Sequence, residues 1–284
     1  MSILKEYYPK AFHKNKFVVE RFDSASEVVS LSNTRPITST QFHNKHLASQ
    51  LDKDWDGVET WDEAINLMQF GYRPFVEQLQ KKLDFRGRGE GKRTAFRNDL
   101  VGFAPNVPLA IMGVPNNMVN SYTKPIKNKV VSIYYDKTAS CMHTPKEFED
   151  AGVKLMSVLI DLEMQGYRFN LYVCQSYTSK TCDMLCVKVK DSNSPLDLQR
   201  LSFPVAHPAF FRAIGFDWYS RCPKATYRSA YGHALGYEYS DEQISNGFDE
   251  VFNEKCVVFQ CSKLIDTDEQ HISDAITSAN KKLA

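Results

Sequence analysis

The sequence predicts an α/β protein: a sheet flanked by helices, preceded by a smaller N-terminal α+β region. Three observations carry this. The run KVVSIYYD at 129–136 is β-branched and aromatic, and a long helical pattern and two further β-rich runs follow it. Helical and β-rich segments continue to alternate to the end of the chain, without an internal repeat that would indicate a solenoid. The 284 residues are 43% hydrophobic, ample for a packed core. A Lys-rich connector sets the expected boundary near residue 127, giving an N-terminal region of 1–127 and an α/β domain of 128–284.

Taken in order, residues 1–50 show no sustained period and predict short strands and turns. Ser24 and Ser26 precede Glu27-Val28-Val29 and mark a helix start. The stretch ETWDEAINLMQFG predicts a second helix, with Thr60 as cap, Glu63 as its box partner, an apolar face of Ala64, Leu67 and Met68, and Gly71 as terminator. Trp55 and Trp61 bracket its start as core anchors. After the amphipathic PFVEQLQKKL comes DFRGRGEGKRTAFR, a basic, Gly-rich loop over 84–97. It lacks a preceding strand and a GK[ST] ending, so a nucleotide cradle is not indicated. VPLAIMGVPNNM then supplies an apolar stretch and a turn.

Beyond the KVVSIYYD strand, Thr144, Pro145 and Glu147 form a helix start and Gly166 a stop, with Phe148, Leu155, Leu159, Leu162 and Met164 along one face. YRFNLYVCQSY and DMLCVKVKD are the two strands that follow. The segment 195–222 predicts helical pieces broken at Pro204 and Pro208, KCVVFQCSKLI a buried strand, and DEQHISDAITSANKKL a closing amphipathic helix.

Charge narrows the function classes. Thirty-five Lys and Arg against 34 Asp and Glu leave a net charge of +1, so no general field draws the chain to nucleic acid or an anionic membrane. No apolar run is long enough for a membrane span, and charges interrupt the N-terminus before a signal-peptide core forms; the expectation is a soluble intracellular protein. Seven cysteines without a CxxC pair fit free thiols in a reducing compartment. A zinc site from Cys182, Cys186 and His207 is the minor alternative.

The main candidate site is the end of the 129–136 strand, because ligands of open α/β sheets bind beyond the strands' carboxyl ends. There Asp136, Thr138 and Ser140 alternate, offering one carboxylate and two hydroxyls to a hard cation such as Mg²⁺ or Mn²⁺. The competing reading is a polar turn whose side chains satisfy nearby backbone groups. VVSIYYDKTASCM, followed by a helix and a strand pair, resembles the opening of a von Willebrand factor A domain, whose metal-ion-dependent adhesion site begins Asp-x-Ser-x-Ser. The resemblance covers about 129–284 and implies a doubly wound fold that binds a protein partner, often through a bridging divalent ion. Asp136 would be the metal-proximal carboxylate and Thr138 and Ser140 the hydroxyl ligands. The family's further Thr and Asp have no clear counterparts. Asp191, Ser192 and Ser194 lie near the first place, and Ser262 and Asp266 near the second, so the implied metal site is incomplete.

The overall layout also resembles uncharacterised proteins encoded by bacteriophages, on WDGVETWDEAINLMQFGY, IMGVPNNM and LDLQRLSFPVAHPAFFRAIGF. That implies the cytoplasm of an infected bacterium, or the virion, and a phage or host protein as partner. The preferred function is therefore non-enzymatic protein binding or scaffolding. Tyr231, Tyr237 and Tyr239 in YRSAYGHALGYEYSD form the candidate partner-binding patch. The alternatives are nucleic-acid binding or metal-dependent nuclease activity through Arg86, Arg88, Lys92 and Arg93 on phosphate, or a structural virion role. His207 with Arg212, and Cys141 with His143, could pose as acid/base or nucleophile pairs, but His207 reads as a core residue and no catalytic set is expected.

Overall fold

The computed structural model describes residues 2–38, 51–82, 92–125, 129–164, 166–178, 181–224 and 233–266. The strands are β1 (Ile3–Tyr7), β2 (Lys16–Phe22), β3 (Lys92–Asp99), β4 (Ala104–Pro105), β5 (Met118–Pro125), β6 (Lys129–Asp136), β7 (Tyr167–Thr178), β8 (Thr181–Lys190) and β9 (Cys256–Gln260). Six of them form one mixed sheet in the order β1-β2-β8-β7-β6-β9, and the other three a small sheet in the order β3-β5-β4. β6 is parallel to both β7 and β9, β8 is antiparallel to β7, β2 is parallel to β8, and β1 is antiparallel to β2.

Alternation along each strand splits the large sheet's side chains between two cores. Ile133, Tyr135, Leu171, Val173, Leu185 and Val187 point to one face. Helices Ala25–Thr34, Pro145–Met164 and Leu198–Ala206 cover that face through Val28, Leu155, Leu159 and Phe203. Tyr134, Tyr172, Met184, Phe17 and Val19 point to the other, under helix Asp241–Phe252. There Gly247 is required by packing: a Cβ on it would stand 2.1 Å from the Phe12 ring. The mixed sheet between helical layers is the predicted α/β architecture, with KVVSIYYD inside it, between β7 and the edge strand β9.

The predicted helix starts are present. Ser24 Oγ accepts from the Glu27 amide at 3.4 Å and Thr60 Oγ1 from the Glu63 amide at 3.2 Å. Glu63 reaches back one residue further than a capping box requires, taking the Glu59 amide at 2.9 Å. Thr144 and Glu147 form the full reciprocal box, the Thr144 amide donating to Glu147 at 2.6 Å and the Glu147 amide to Thr144 Oγ1 at 3.4 Å. Gly71 and Gly166 follow their helices at positive φ.

Several expectations need correction. The boundary near 127 does not divide the sheet, because β1 and β2 extend it past β8. Helix Leu198–Ala206 runs through Pro204 and ends only at His207, where Pro208 forces an extended backbone. The residues after it continue as a π-helical turn, Phe210–Gly215, and a helix, Phe216–Arg221. The strand expected in KCVVFQCSKLI stops at Gln260 and a short helix, Cys261–Asp266, takes over. From Lys92 onward the expected basic loop is strand β3. Met164 is exposed instead of core-facing. The closing helix expected at 268–283 lies outside the described residues.

Candidate functional site

β6 is flanked by β7 on one side and β9 on the other, both parallel to it, so the chain's winding reverses there. The carboxyl ends of β6, β7 and β9 share one rim, and the crevice such a reversal opens is where α/β proteins usually hold ligands. Asp136 stands on that rim, in register with Cys174 and Gln260.

The Asp136 carboxylate is buried and fully engaged. Its Oδ1 accepts from the Thr138 amide at 3.1 Å and the Thr138 hydroxyl at 2.7 Å, and its Oδ2 from the Ser176 hydroxyl at 2.6 Å. The Ser176 amide donates to Thr138 Oγ1 at 2.7 Å, closing the ring. Burial pushes the Asp136 pKa up to about 6, against the hydrogen bonds from Ser176 and Thr138 that hold it down.

Lys137 points to the opposite face and is also buried. Its ammonium donates to the carbonyl oxygens of Pro204 at 2.9 Å and His207 at 2.6 Å, capping a helix end whose carbonyls have no partner within the helix. Burial pushes its pKa down to about 7. Gln175 donates to the Phe211 carbonyl at 3.1 Å and to the Tyr177 hydroxyl. The approach of Gln175 is so close that a Cβ on Gly215 would lie 1.5 Å from its Oε1. Arg212 sits between the rings of Trp55 and Phe148, at 4.3 and 4.9 Å, and donates to the carbonyls of Trp55 and His143. The segment 203–215 therefore fills the crevice with its own carbonyls and aromatic rings.

These donors do not fit a divalent cation. Such an ion wants several free oxygens, usually with more than one carboxylate. Asp136 already accepts three hydrogen bonds and has a buried lysine next to it in sequence, and Asp241, near the same rim, is taken up by Gln260 and Lys263. Ser140 is not turned toward Asp136's carboxylate in any hydrogen bond; its hydroxyl accepts from the Met142 amide at 3.3 Å. Asp191 is placed at the opposite end of the sheet. β8 runs antiparallel to β7, so its last residue, Lys190, pairs with Leu171, and Asp191 forms an ion pair with Lys188. Ser192 and Ser194 lie in the same distant turn, the Ser192 amide bonding Asn170 at 2.9 Å. Ser262 is buried in the helix after β9, and Asp266 is exposed at its end. Among the described residues no three His, Cys, Asp or Glu side chains cluster as a metal site would require.

The remaining candidates separate as well. His207 is a core residue: Nδ1 accepts from the Ala209 amide at 3.2 Å, and burial, with Lys137 adding, lowers its pKa to about 3. Cys182 and Cys186 belong to the other face of the sheet, away from His207, and none of the seven cysteines is in a disulfide. His143 pairs with Glu147 at 3.3 Å and not with the exposed Cys141. Tyr239 is not on the surface. It is 6% exposed, packs edge-on against Phe12 at 4.8 Å and accepts from Asn15 at 3.0 Å. Tyr237 is 58% exposed and stands alone of the expected tyrosine patch, Tyr231 lying outside the described residues. Arg86 and Arg88 also lie outside them, and Lys92 and Arg93 open strand β3.

Sequence reasoning missed Ser176, Gln175 and Lys137. The available signal was a Gln-Ser pair near the end of an otherwise apolar strand, in a segment destined to lie beside Asp136.

A family model described as "Domain of unknown function (DUF7192)" matches residues 6–270. The chain belongs to this family. Comparison with curated proteins and with solved structures gives no match. The DUF7192 match begins in β1 and runs past β9, so the family's unit includes the N-terminal strands together with the later ones, in keeping with their shared sheet. Among the described residues of this DUF7192 chain, no helix is long and apolar enough to cross a membrane.

Proposed function

We propose that this protein is a non-enzymatic protein-binding or scaffolding component whose docking face is the small unit β3–β5 with its short helix Val107–Ile111. The observation that carries this is exposed apolar surface. Phe96, Leu100, Val101, Phe103, Val107, Ile111 and Met112 all stand in solvent, with Val101 at 77%, Met112 at 74% and Ile111 at 81%. They are seven of the fourteen large exposed apolar side chains among the described residues, gathered within residues 96–112, and apolar surface gathered in one place marks an interaction site. Phe96 and Phe103 pack edge to face at 6.1 Å, and Gly102 lets the chain press onto the Val119 carbonyl, so the unit has its own order.

The finer fold reading belongs to the same proposal. β6, helix Pro145–Met164, β7 and β8 repeat the strand–helix–strand–strand order on which the likeness to von Willebrand A domains rests. In this reading the domain keeps the scaffold and has lost the ion, with Asp136 retained as a turn-forming residue. The resemblance to bacteriophage proteins directs the search for a partner to infected bacteria.

The test is a photo-cross-linking residue at Val101 or Ile111 of the full chain in intact cells. An adduct that disappears in a Leu100→Ser, Val101→Ser, Phe103→Ser triple variant of unchanged Tm supports the proposal. Absence of any adduct at either position overturns it.

A further inference from the structure

We propose that the cavity at the carboxyl ends of β2 and β8 binds a small organic phosphate. It lies at the end of the sheet away from Asp136, and the inference is independent of the docking face above. β2 and β8 are parallel, with Phe22 opposite Val187, so both strands end on the same side. There β2 gives way to helix Ala25–Thr34, while β8 runs on to Lys190. Among the described residues a cavity of about 710 Å³ opens between that helix start, the end of β8 and helix Leu198–Ala206. Its size is that of a small-molecule site. Its place, beyond the carboxyl ends of parallel strands, is where α/β sheets take ligands.

The lining divides by chemistry. Met68, Val189 and Pro204 give an apolar wall for an organic body. Arg200, exposed and without an ion pair among the described residues, lines the cavity from helix Leu198–Ala206. Ala25 and Ser26 present the first turn of the other helix. Ser24 Oγ takes the Glu27 amide at 3.4 Å, and the two amides before it have no acceptor within the helix. The cavity's two lysines are already engaged: Lys188 pairs with Asp191, and Lys190, buried, donates to the Ser194 carbonyl at 2.9 Å and pairs with Glu163 at 3.3 Å. The cationic character left to the cavity is therefore one guanidinium and one helix end. A phosphate monoester suits both together, because its several oxygens can accept from the helix amides and the guanidinium at once. Asp23 also lines the cavity. It opposes the anion and offers an acceptor to a hydroxyl or amine elsewhere on the same molecule.

The experiment is isothermal titration of the full chain at low salt with inorganic phosphate and with phenyl phosphate, each to about 10 mM. Phenyl phosphate should bind about tenfold or more tightly than inorganic phosphate, because only its ring can cover the apolar wall. Arg200→Ala, at an exposed position, should weaken phenyl phosphate about tenfold or more. Ser26→Asp should abolish binding and leave Tm unchanged or raised, since a carboxylate in the first turn suits the helix and repels the ligand. That pairing separates a lost site from a lost fold. Asp23→Asn should tighten inorganic phosphate a few-fold. No heat with phenyl phosphate, equal affinity for the two probes, or binding indifferent to both Arg200→Ala and Ser26→Asp overturns the proposal.

Discussion

Replacing Asp136 with Asn separates a structural turn from a charge-binding site. Asn keeps the shape and the acceptor that Thr138 uses at 2.7 Å, while removing a carboxylate that burial holds at a pKa of about 6, against an ordinary 3.8. Because the folded-state pKa is the higher one, the unfolded chain releases this proton first as pH rises. The stability contributed by the acid is complete below its ordinary pKa and is lost as pH climbs through about 6. At about 1.4 kcal/mol per unit, the shift of about two units corresponds to about 3 kcal/mol. Roughly 2 kcal/mol of it falls between pH 4.5 and 7.5. The assay is urea denaturation of wild type and Asp136→Asn at those two pH values, taking the difference between proteins at each so that other titrations cancel. The variant's stability relative to wild type should rise by about 2 kcal/mol from the lower to the higher pH. A relative stability that falls with pH would mean that the native state favours the charged carboxylate, as an ion site would, and would refute the reasoning. Repeating the pair with Mg²⁺ or Mn²⁺ should leave the difference unchanged.

Three further outcomes follow from the packing. Glu20 is buried and accepts both Arg35 guanidinium nitrogens, at 2.9 and 2.8 Å, and the Trp218 indole at 2.9 Å. Arg35→Met should cost about 3 kcal/mol in urea denaturation by leaving that acid buried without its counter-charge, and a loss below about 1 kcal/mol would show the pair to be solvated. Gly247→Ala should destabilise by about 1–3 kcal/mol, with part of the loss recovered by Phe12→Leu, because the new methyl meets the Phe12 ring. Tyr239→Ala should cost about 3 kcal/mol or more and Tyr237→Ser less than about 0.5, measured as shifts in urea midpoint; equal effects would contradict their placement.

How much was legible in the sequence depended on the range of the interaction. Thr60 with Glu63 and Thr144 with Glu147 act within one turn, so their helix starts could be read from spacing. The run 129–136 reads as a strand because its apolar residues are continuous, as a strand buried on both faces requires. β2 could not be placed among the short strands expected over 1–50 because Glu20 interrupts KFVVERF, and what compensates that charge is Arg35 and Trp218, brought in from 15 and 198 residues away. β3 escaped because KRTAFRND is charged and follows glycines, the composition of a loop. Tyr237 and Tyr239 are two residues apart and look alike in sequence. Helix 235–238 and the turn after it send one ring to solvent and the other under Phe12. At the strand end, Asp136 and Thr138 were visible as a pair, but Ser176 joins them only through the β6–β7 register.

That register also bears on why the rim carries so much buried polarity. A carboxylate, a lysine, an arginine and a glutamine converging at a winding reversal would ordinarily mark an active site. Here most of these groups have a structural partner: Asp136 the Thr138 and Ser176 hydroxyls, Lys137 the end of helix Leu198–Ala206, Arg212 the Trp55 and His143 carbonyls, and Gln175 the Phe211 carbonyl, while Gln175 Oε1 and Arg212 Nε are buried with no hydrogen-bond partner. A substrate entering would have to displace the 203–215 segment and strip Lys137 and Arg212 of their acceptors while both remain buried, a cost of several kcal/mol per charge. The apolar surface on β3–β5 carries the opposite sign, since covering it releases free energy at roughly 25 cal/mol per Å². Binding is thus resisted at the rim and favoured at the small sheet, which is the physical reason for proposing the docking face there.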